Sequence, residues 1–106
     1  MYPAARPLFA VLLLAGMAPL AAAQDATALR QTALAATCAN CHGTQGRSVD
    51  GAAVPGLAGM PAPYMVEQMK AFKAGVRPAT VMHQLAKGFS DAQIESVAGY
   101  FAAQKK

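Results

Sequence analysis

The chain has 106 residues, a hydrophobic fraction of 55% and a formal net charge of +4 at pH 7. A chain of this length forms one small domain, and small domains bury little apolar surface for their size, so a bound group or cross-link often supplements the core. The basic residues form no arginine-rich run and have few aromatic neighbours, which argues against a nucleic-acid-binding protein. The modest positive charge suits docking to another protein.

The N-terminal segment is typical of a cleaved export signal. A basic start precedes an apolar run, and Ala21-Ala22-Ala23 supplies the small side chains of a signal peptidase site. The sequence therefore predicts a signal peptide over residues 1–23 and a mature domain over residues 24–106, located in the periplasm. A retained membrane anchor is the alternative, but the uncharged stretch is interrupted by glycine and proline and is shorter than the roughly 20 apolar residues of a spanning helix.

Residues 25–37 are predicted to form a short helix. Ala26, Leu29, Ala33 and Leu34 recur at helical spacing, so they are expected to form its buried face. This helix leads directly into the only two cysteines of the chain.

Both cysteines lie in the pentapeptide Cys38-Ala39-Asn40-Cys41-His42. The pattern Cys-x-x-Cys-His is the attachment signature of a c-type haem. Two thiols on one helical turn can bond the two vinyl groups at one porphyrin edge, and the histidine that follows can ligate the iron. Export favours this interpretation, because an oxidising compartment would otherwise convert two neighbouring thiols into a disulfide.

A thioredoxin-like redox pair and half of a zinc site are the alternatives for these cysteines. The redox pair belongs to a βαβ pattern, whereas this sequence shows no sustained two-residue alternation. A zinc site needs more ligands than His83, the only other histidine, can add. The sequence therefore predicts one covalent haem c, held by Cys38 and Cys41, with His42 as an axial iron ligand.

The rest of the chain is predicted to wrap the haem. Glycines and prolines concentrated over residues 43–61 predict a loop. A second helix is expected to begin near Pro63 and to end before Gly75, and a helical turn is expected over residues 80–87.

The last predicted helix has the clearest pattern. Ser90 and Gln93 form a capping box, and Asp91 suits the positive end of the helix. Its apolar face comprises Ile94, Val97, Ala98 and Phe101. The fold class is therefore all-α, with about four short helices around one haem.

The sixth iron ligand can be narrowed to a few side chains. Met65 and Met69 share the apolar stripe of the second helix and are expected to fill the core. Met60 lies in a flexible turn, whereas Met82 follows the cysteine motif at a distance that lets the chain return on the far face of the haem. Met82 is the favoured ligand. Met60 remains an alternative, and so does His83, which points about 100° away from its neighbour on a helical turn.

Several segments resemble a known family. Residues 38–44, with the glycine at position 46, resemble the class I bacterial cytochromes c. The middle of the chain, with Tyr64, Gln68, Phe72, Gly75 and Arg77, is similar to one half of the periplasmic dihaem cytochromes. Residues 81–90 and 98–101 resemble the cytochrome subunit of flavocytochrome c sulfide dehydrogenase, in which the axial methionine falls where Met82 stands. The resemblance implies the class I cytochrome c fold with one covalently bound haem.

The resemblance also implies a role in periplasmic electron transfer. In that complex a flavoprotein subunit takes two electrons from sulfide, and the cytochrome subunit passes them to another cytochrome without catalysing bond chemistry itself. A free monohaem shuttle to an oxidase or reductase is a second hypothesis, with Lys70, Lys73 and Lys87 either forming a docking surface or an ordinary solvated face. A gas-binding protein is a third, and it requires that Met82 leave the iron open.

Overall fold

The structure, a computed structural model, describes residues 18–106. Most of the predicted signal peptide therefore lies outside the described residues, and its cleavage stays a prediction. The chain divides after Arg30, and the unit Gln31–Lys106 contains the cysteine motif and everything that follows it. Within the first unit the described residues are helical.

The described residues form four α-helices and no strand, which confirms the all-α prediction. In chain order they are α1 (Ala18–His42), α2 (Ala62–Lys73), α3 (Met82–Leu85) and α4 (Asp91–Ala102). Two short 3₁₀ turns, Thr44–Gly46 and Ala86–Gly88, follow α1 and α3 respectively.

Helix α1 differs from its prediction in both length and buried face. It continues through the cysteine motif to His42, where the sequence predicted an end near position 37. Leu29 is 70% exposed and Ala33 is exposed, whereas Ala35 is only 1% exposed. Of the predicted face only Leu34 is half-buried, because alanines occur on every side of this helix and the apolar spacing does not define one direction.

The core lies between the C-terminal half of α1, α2 and α4. Its buried members are Ala35, Met65, Ala98 and Phe101. The Gln31 side-chain amide donates a 2.8 Å hydrogen bond to the Ser96 carbonyl, which ties α1 to α4. Met65 therefore fills the core as the sequence predicted.

The helix boundaries after the loop agree with the sequence pattern. A proline stands in the first turn of α2, and α4 begins with a complete capping box. The Gln93 amide donates to the Ser90 hydroxyl at 3.2 Å, and the Ser90 amide donates to the Gln93 side-chain oxygen at 2.8 Å. These caps satisfy two donors that a helix start leaves without intrahelical partners. Helix α3 is a single turn that packs on α2.

Candidate functional site

The cysteine motif occupies the last turn of α1. Cys38 is half-buried against the core, Cys41 is exposed, and neither thiol is in a disulfide. The helix ends at His42 because Gly43 adopts φ 84°, a conformation that favours glycine, and a side chain there would overlap the Arg47 carbonyl. The two thiols therefore lie three residues apart on one helical turn, as attachment to one porphyrin edge requires.

His42 is buried and is oriented by the loop that follows it. Its Nδ1 lies 2.7 Å from the Pro55 carbonyl oxygen. A carbonyl oxygen can only accept, so Nδ1 carries the proton and donates it, and the lone pair of the ring is on Nε2. Histidines that bind metals commonly have this arrangement, because the hydrogen bond sets the tautomer and raises the basicity of the ligating nitrogen.

The surroundings of Cys38 shift the pKa of its free thiol. Burial raises the pKa of the Cys38 thiol above its ordinary value, and the neighbouring Cys41 raises it further, while a hydrogen bond with Thr37 opposes the change. A higher thiol pKa lowers the fraction of thiolate at a given pH, and the thiolate is the reactive form of cysteine.

The three candidate sixth ligands, Met60, Met82 and His83, lie in environments that differ from one another and from that of Met65. Met60 packs against the core cluster and lines an open cavity of about 540 Å³. Met65 is a member of the core, and Met82 is the half-buried first residue of α3. His83 follows it with its Nδ1 buried and without a hydrogen-bond partner among the described residues.

Helix α2 is the common neighbour of the segments that carry the predicted ligands. Cys38 packs against the cluster that includes Met65 of α2, and the turn that begins at Met82 packs on α2 as well. Two free thiols on one turn and a histidine with an available Nε2 fit the covalent attachment and ligation of a haem. Residues 18–106 contain no group of three or more His, Cys, Asp or Glu side chains arranged to hold a metal ion.

The lysines of the predicted docking surface are largely engaged within the molecule. Lys70 lies 3.6 Å from a carboxylate oxygen of Asp91 and 4.0 Å from one of Glu95. The Lys73 ammonium donates to Asp91 at 3.2 Å and to the Phe89 carbonyl at 2.7 Å. Lys87 is exposed and is in no ion pair among the described residues.

Two features of the site had almost no signal in the sequence. The Pro55 carbonyl orients His42 from thirteen positions away, and only the presence of a proline in a glycine-rich loop hinted at a defined conformation there. The bond from Lys73 to the Phe89 carbonyl joins residues sixteen positions apart. Every residue has a backbone carbonyl, so the sequence does not indicate which carbonyl will accept such a hydrogen bond.

A helical domain with two thiols on one turn and an oriented histidine beside them has the features of a c-type haem protein. Residues 28–104 match the model of the cytochrome c family, and the chain belongs to that family. Its members hold one haem c covalently, so the protein transfers electrons through a c-type haem, and the predicted class I cytochrome c fold is confirmed.

Three relatives illustrate the similarity. The chain is 35% identical to the cytochrome subunit of sulfide dehydrogenase from Chlorobaculum tepidum, over 86% of this chain and 81% of that protein. It is 39% identical to the thiosulfate dehydrogenase electron acceptor from Thiomonas intermedia, over 67% of this chain and 33% of the relative. It is 39% identical to cytochrome c4 from Pseudomonas aeruginosa, over 92% of this chain and 48% of the relative. The chain thus spans about a third of the second protein and about half of the third.

None of the helices that the structure describes is long and apolar enough to cross a lipid bilayer.

Proposed function

We propose that the chain is a periplasmic electron carrier whose single haem is ligated by His42 and Met82. The observation that carries the proposal is the hydrogen bond from His42 Nδ1 to the Pro55 carbonyl, which leaves Nε2 available for iron. Haem c supplies a one-electron couple between its ferric and ferrous forms. The chain's own residues attach it through Cys38 and Cys41 and determine its potential through the axial ligands.

The environments of the methionines support Met82 as the sixth ligand. Met65 is 6% exposed within the core, and Met60 packs against the same cluster. Met82 instead begins a one-turn helix, outside that cluster, in the segment that follows α2. A thioether ligand opposite histidine raises the reduction potential relative to two nitrogen ligands, which suits a carrier that accepts electrons.

The test of ligation is an absorption spectrum of the oxidised protein, expressed with its leader in the periplasm. The weak long-wavelength band of iron-bound methionine sulfur should be present in the wild type, absent in Met82→Ala and retained in the matched variant Met60→Ala. Loss of the band in Met60→Ala alone would identify Met60 as the ligand. A wild type without the band, combined with rapid carbon monoxide binding to the reduced protein, would support an open iron, and absence of both would favour His83.

The proposed partner is the flavoprotein subunit of a sulfide dehydrogenase. The relative of that name is matched over 81% of its length, whereas the cytochrome c4 relative is matched over 48%. The match therefore extends over most of that cytochrome subunit. Copurification with a flavin-containing protein that reduces the haem when sulfide is added would support this partner.

A free shuttle to an oxidase or reductase is the second candidate. Lys70 and Lys73 are in ion pairs, whereas Lys87 is exposed and is in no ion pair among the described residues. Of these three lysines, Lys87 is therefore the best candidate for docking to a partner. Electron transfer that slows steeply with ionic strength and with Lys87→Glu, in a protein isolated without a flavoprotein, would favour this candidate.

A further inference from the structure

The segment between α2 and α4 carries Met82 but has little internal structure to hold it in place. Helix α3 spans only Met82–Leu85, and no side chain caps its start. A single helical turn has too few hydrogen bonds to be stable alone, because fixing the backbone of the first turn costs more free energy than its hydrogen bonds contribute. The buried Nδ1 of His83 makes no hydrogen bond that would restrain the segment, since it has no partner among the described residues. The position of the segment must therefore come from contacts with α2.

At the start of the segment, Arg77 folds back over α2. Its guanidinium carbon lies 4.5 Å from the centre of the Phe72 ring, and one of its terminal nitrogens donates to the Gln68 side-chain oxygen. The backbone amides of Val76 and Arg77 both donate to the Ala71 carbonyl, at 3.1 and 3.3 Å. These contacts attach the first residues of the segment to the last turns of the helix.

At the end of the segment, Lys73 of α2 makes the corresponding attachment. Its ammonium donates to the Phe89 carbonyl at 2.7 Å and to Asp91 at 3.2 Å. The lysine side chain is only 33% exposed, so the hydrogen bonds are partly shielded from water. A charge-assisted bond to a main-chain oxygen is stronger than a neutral one and restrains the backbone itself.

We propose that Arg77 and Lys73 are positioning residues that hold the Met82 segment on α2 and thereby keep the sixth iron position closed. This role rests on the proposed ligation of the iron by Met82, and it identifies the side chains that keep Met82 in place. Arg77 restrains the entry of the segment through a planar group stacked on an aromatic ring, and Lys73 restrains its exit through the Phe89 carbonyl. Releasing either end lets the methionine leave the iron more often.

The test is the rate at which imidazole binds to the oxidised haem protein. At saturating imidazole this rate reports how often the methionine leaves, because the new ligand enters only when the position is open. Lys73→Met keeps the apolar stem and removes the charged donor, so it should raise the saturating rate on the order of tenfold, the scale of a lost charge-assisted hydrogen bond. Arg77→Lys should raise it as well, since lysine keeps the charge but loses the planar stack.

Two control variants separate positioning from general effects of charge and fold. Lys70→Met removes a lysine of the same helix whose ion pairs among the described residues are with carboxylates of α4, at 3.6 and 4.0 Å, so its rate should stay within twofold of the wild type. Phe101→Leu weakens the core cluster, to which no residue of the segment belongs. Thermal unfolding of each variant shows how much global stability it has lost.

The outcomes distinguish this inference from the ligation on which it rests. If Met82→Ala leaves both the methionine band and the imidazole rate unchanged, the proposed ligation is wrong. If Met82→Ala opens the iron but Lys73→Met and Arg77→Lys bind imidazole at the wild-type rate, the ligation stands and the positioning role is overturned. An equal rise in Phe101→Leu at matched stability would also overturn it, because the effect would then be global.

Discussion

Gly46 allows the loop after the cysteine motif to pack directly on the core. The residue is buried, with φ 77°, in the left-handed region that favours glycine. A Cβ atom built on it would lie 2.8 Å from a ring carbon of Phe101 and 2.9 Å from the Ala58 nitrogen. The amides of Leu57 and Ala58 donate to the Gly46 carbonyl at 2.8 and 3.1 Å, so the loop residues near Pro55 are positioned through this one residue. The orientation of His42 depends on that stretch of loop.

We expect Gly46→Ala to lower the free energy of unfolding by about 3 kcal/mol, combining the strain of left-handed backbone with the overlap against Phe101. Gly51→Ala is the matched control, because Gly51 has the same φ of 77° with no atom within 4 Å of its added Cβ. The control should lose only about 1 kcal/mol, the backbone part alone. Chemical denaturation of both haem-loaded variants measures the difference, and equal losses would contradict the packing argument.

Helices α2 and α4 are joined at their solvent edge by an ion-pair cluster. Asp91 begins α4, and it faces Lys73 at 3.2 Å and Lys70 at 3.6 Å. The hydrogen bond from Lys73 and the charges of both lysines hold the pKa of the Asp91 carboxyl below its usual range. The carboxylate is exposed, so the cluster acts mainly by orienting the two helices and is weakened by salt.

The shifted pKa of Asp91 makes this contact dependent on pH. A carboxyl whose pKa is lower in the folded protein contributes stability above its unfolded pKa and loses it as the pH falls through the folded one. Asp91→Asn should therefore be less stable than the wild type near pH 7, and the gap should narrow below about pH 4, where carboxylates take up protons. Urea denaturation of both proteins at pH 7 and at pH 3 measures this difference in the free energy of unfolding.

Asp50→Asn is the matched control for that experiment. Asp50 is exposed and in no ion pair among the described residues, so its variant should follow the wild type at both pH values. A gap for Asp91→Asn that stays constant between pH 7 and pH 3 would show that the carboxylate charge is not the cause.

The domain as a whole is centred on Phe101. Its side chain is 1% exposed and packs with Ala35, Met65 and Ala98, so it joins α1, α2 and α4. Its carbonyl accepts from the Gly59 amide at 2.9 Å, which fastens the loop to the same helix. Because the buried core is small, one aromatic ring accounts for a large share of it.

Phe101→Ala should lower the free energy of unfolding by about 3–5 kcal/mol, the cost of removing a buried aromatic ring and leaving a cavity. Small domains have total stabilities of only about 5–15 kcal/mol, so the yield of haem-loaded protein at 37 °C should fall as well. Val76→Ala serves as the comparison, because Val76 is 75% exposed and its truncation should cost about 0.5 kcal/mol or less. Similar losses for the two variants would contradict the central role of the ring.

The sequence by itself determined the features that depend on neighbouring residues. Cys38, Cys41 and His42 identify the haem through their covalent spacing alone, and Ser90 with Gln93 marks the start of α4 because a capping box closes within four residues. The all-α class followed from the same local periodicities. These inferences depend only on neighbouring residues, because covalent bonds and helical turns bring such side chains together independently of how the rest of the chain folds.

Only the tertiary structure decided the contacts between distant segments. It placed Ala35 rather than Leu29 in the core, directed Lys73 to the Phe89 carbonyl, and supplied the Pro55 carbonyl to His42. An alanine-rich helix has no strongly preferred face, and a backbone carbonyl is the same group at every position. Residue types therefore predict neither the buried face of α1 nor the carbonyls that accept hydrogen bonds from Lys73 and His42. Such contacts form when packing of the whole core brings the segments together, which is why the fold, rather than any motif, sets the orientation of His42.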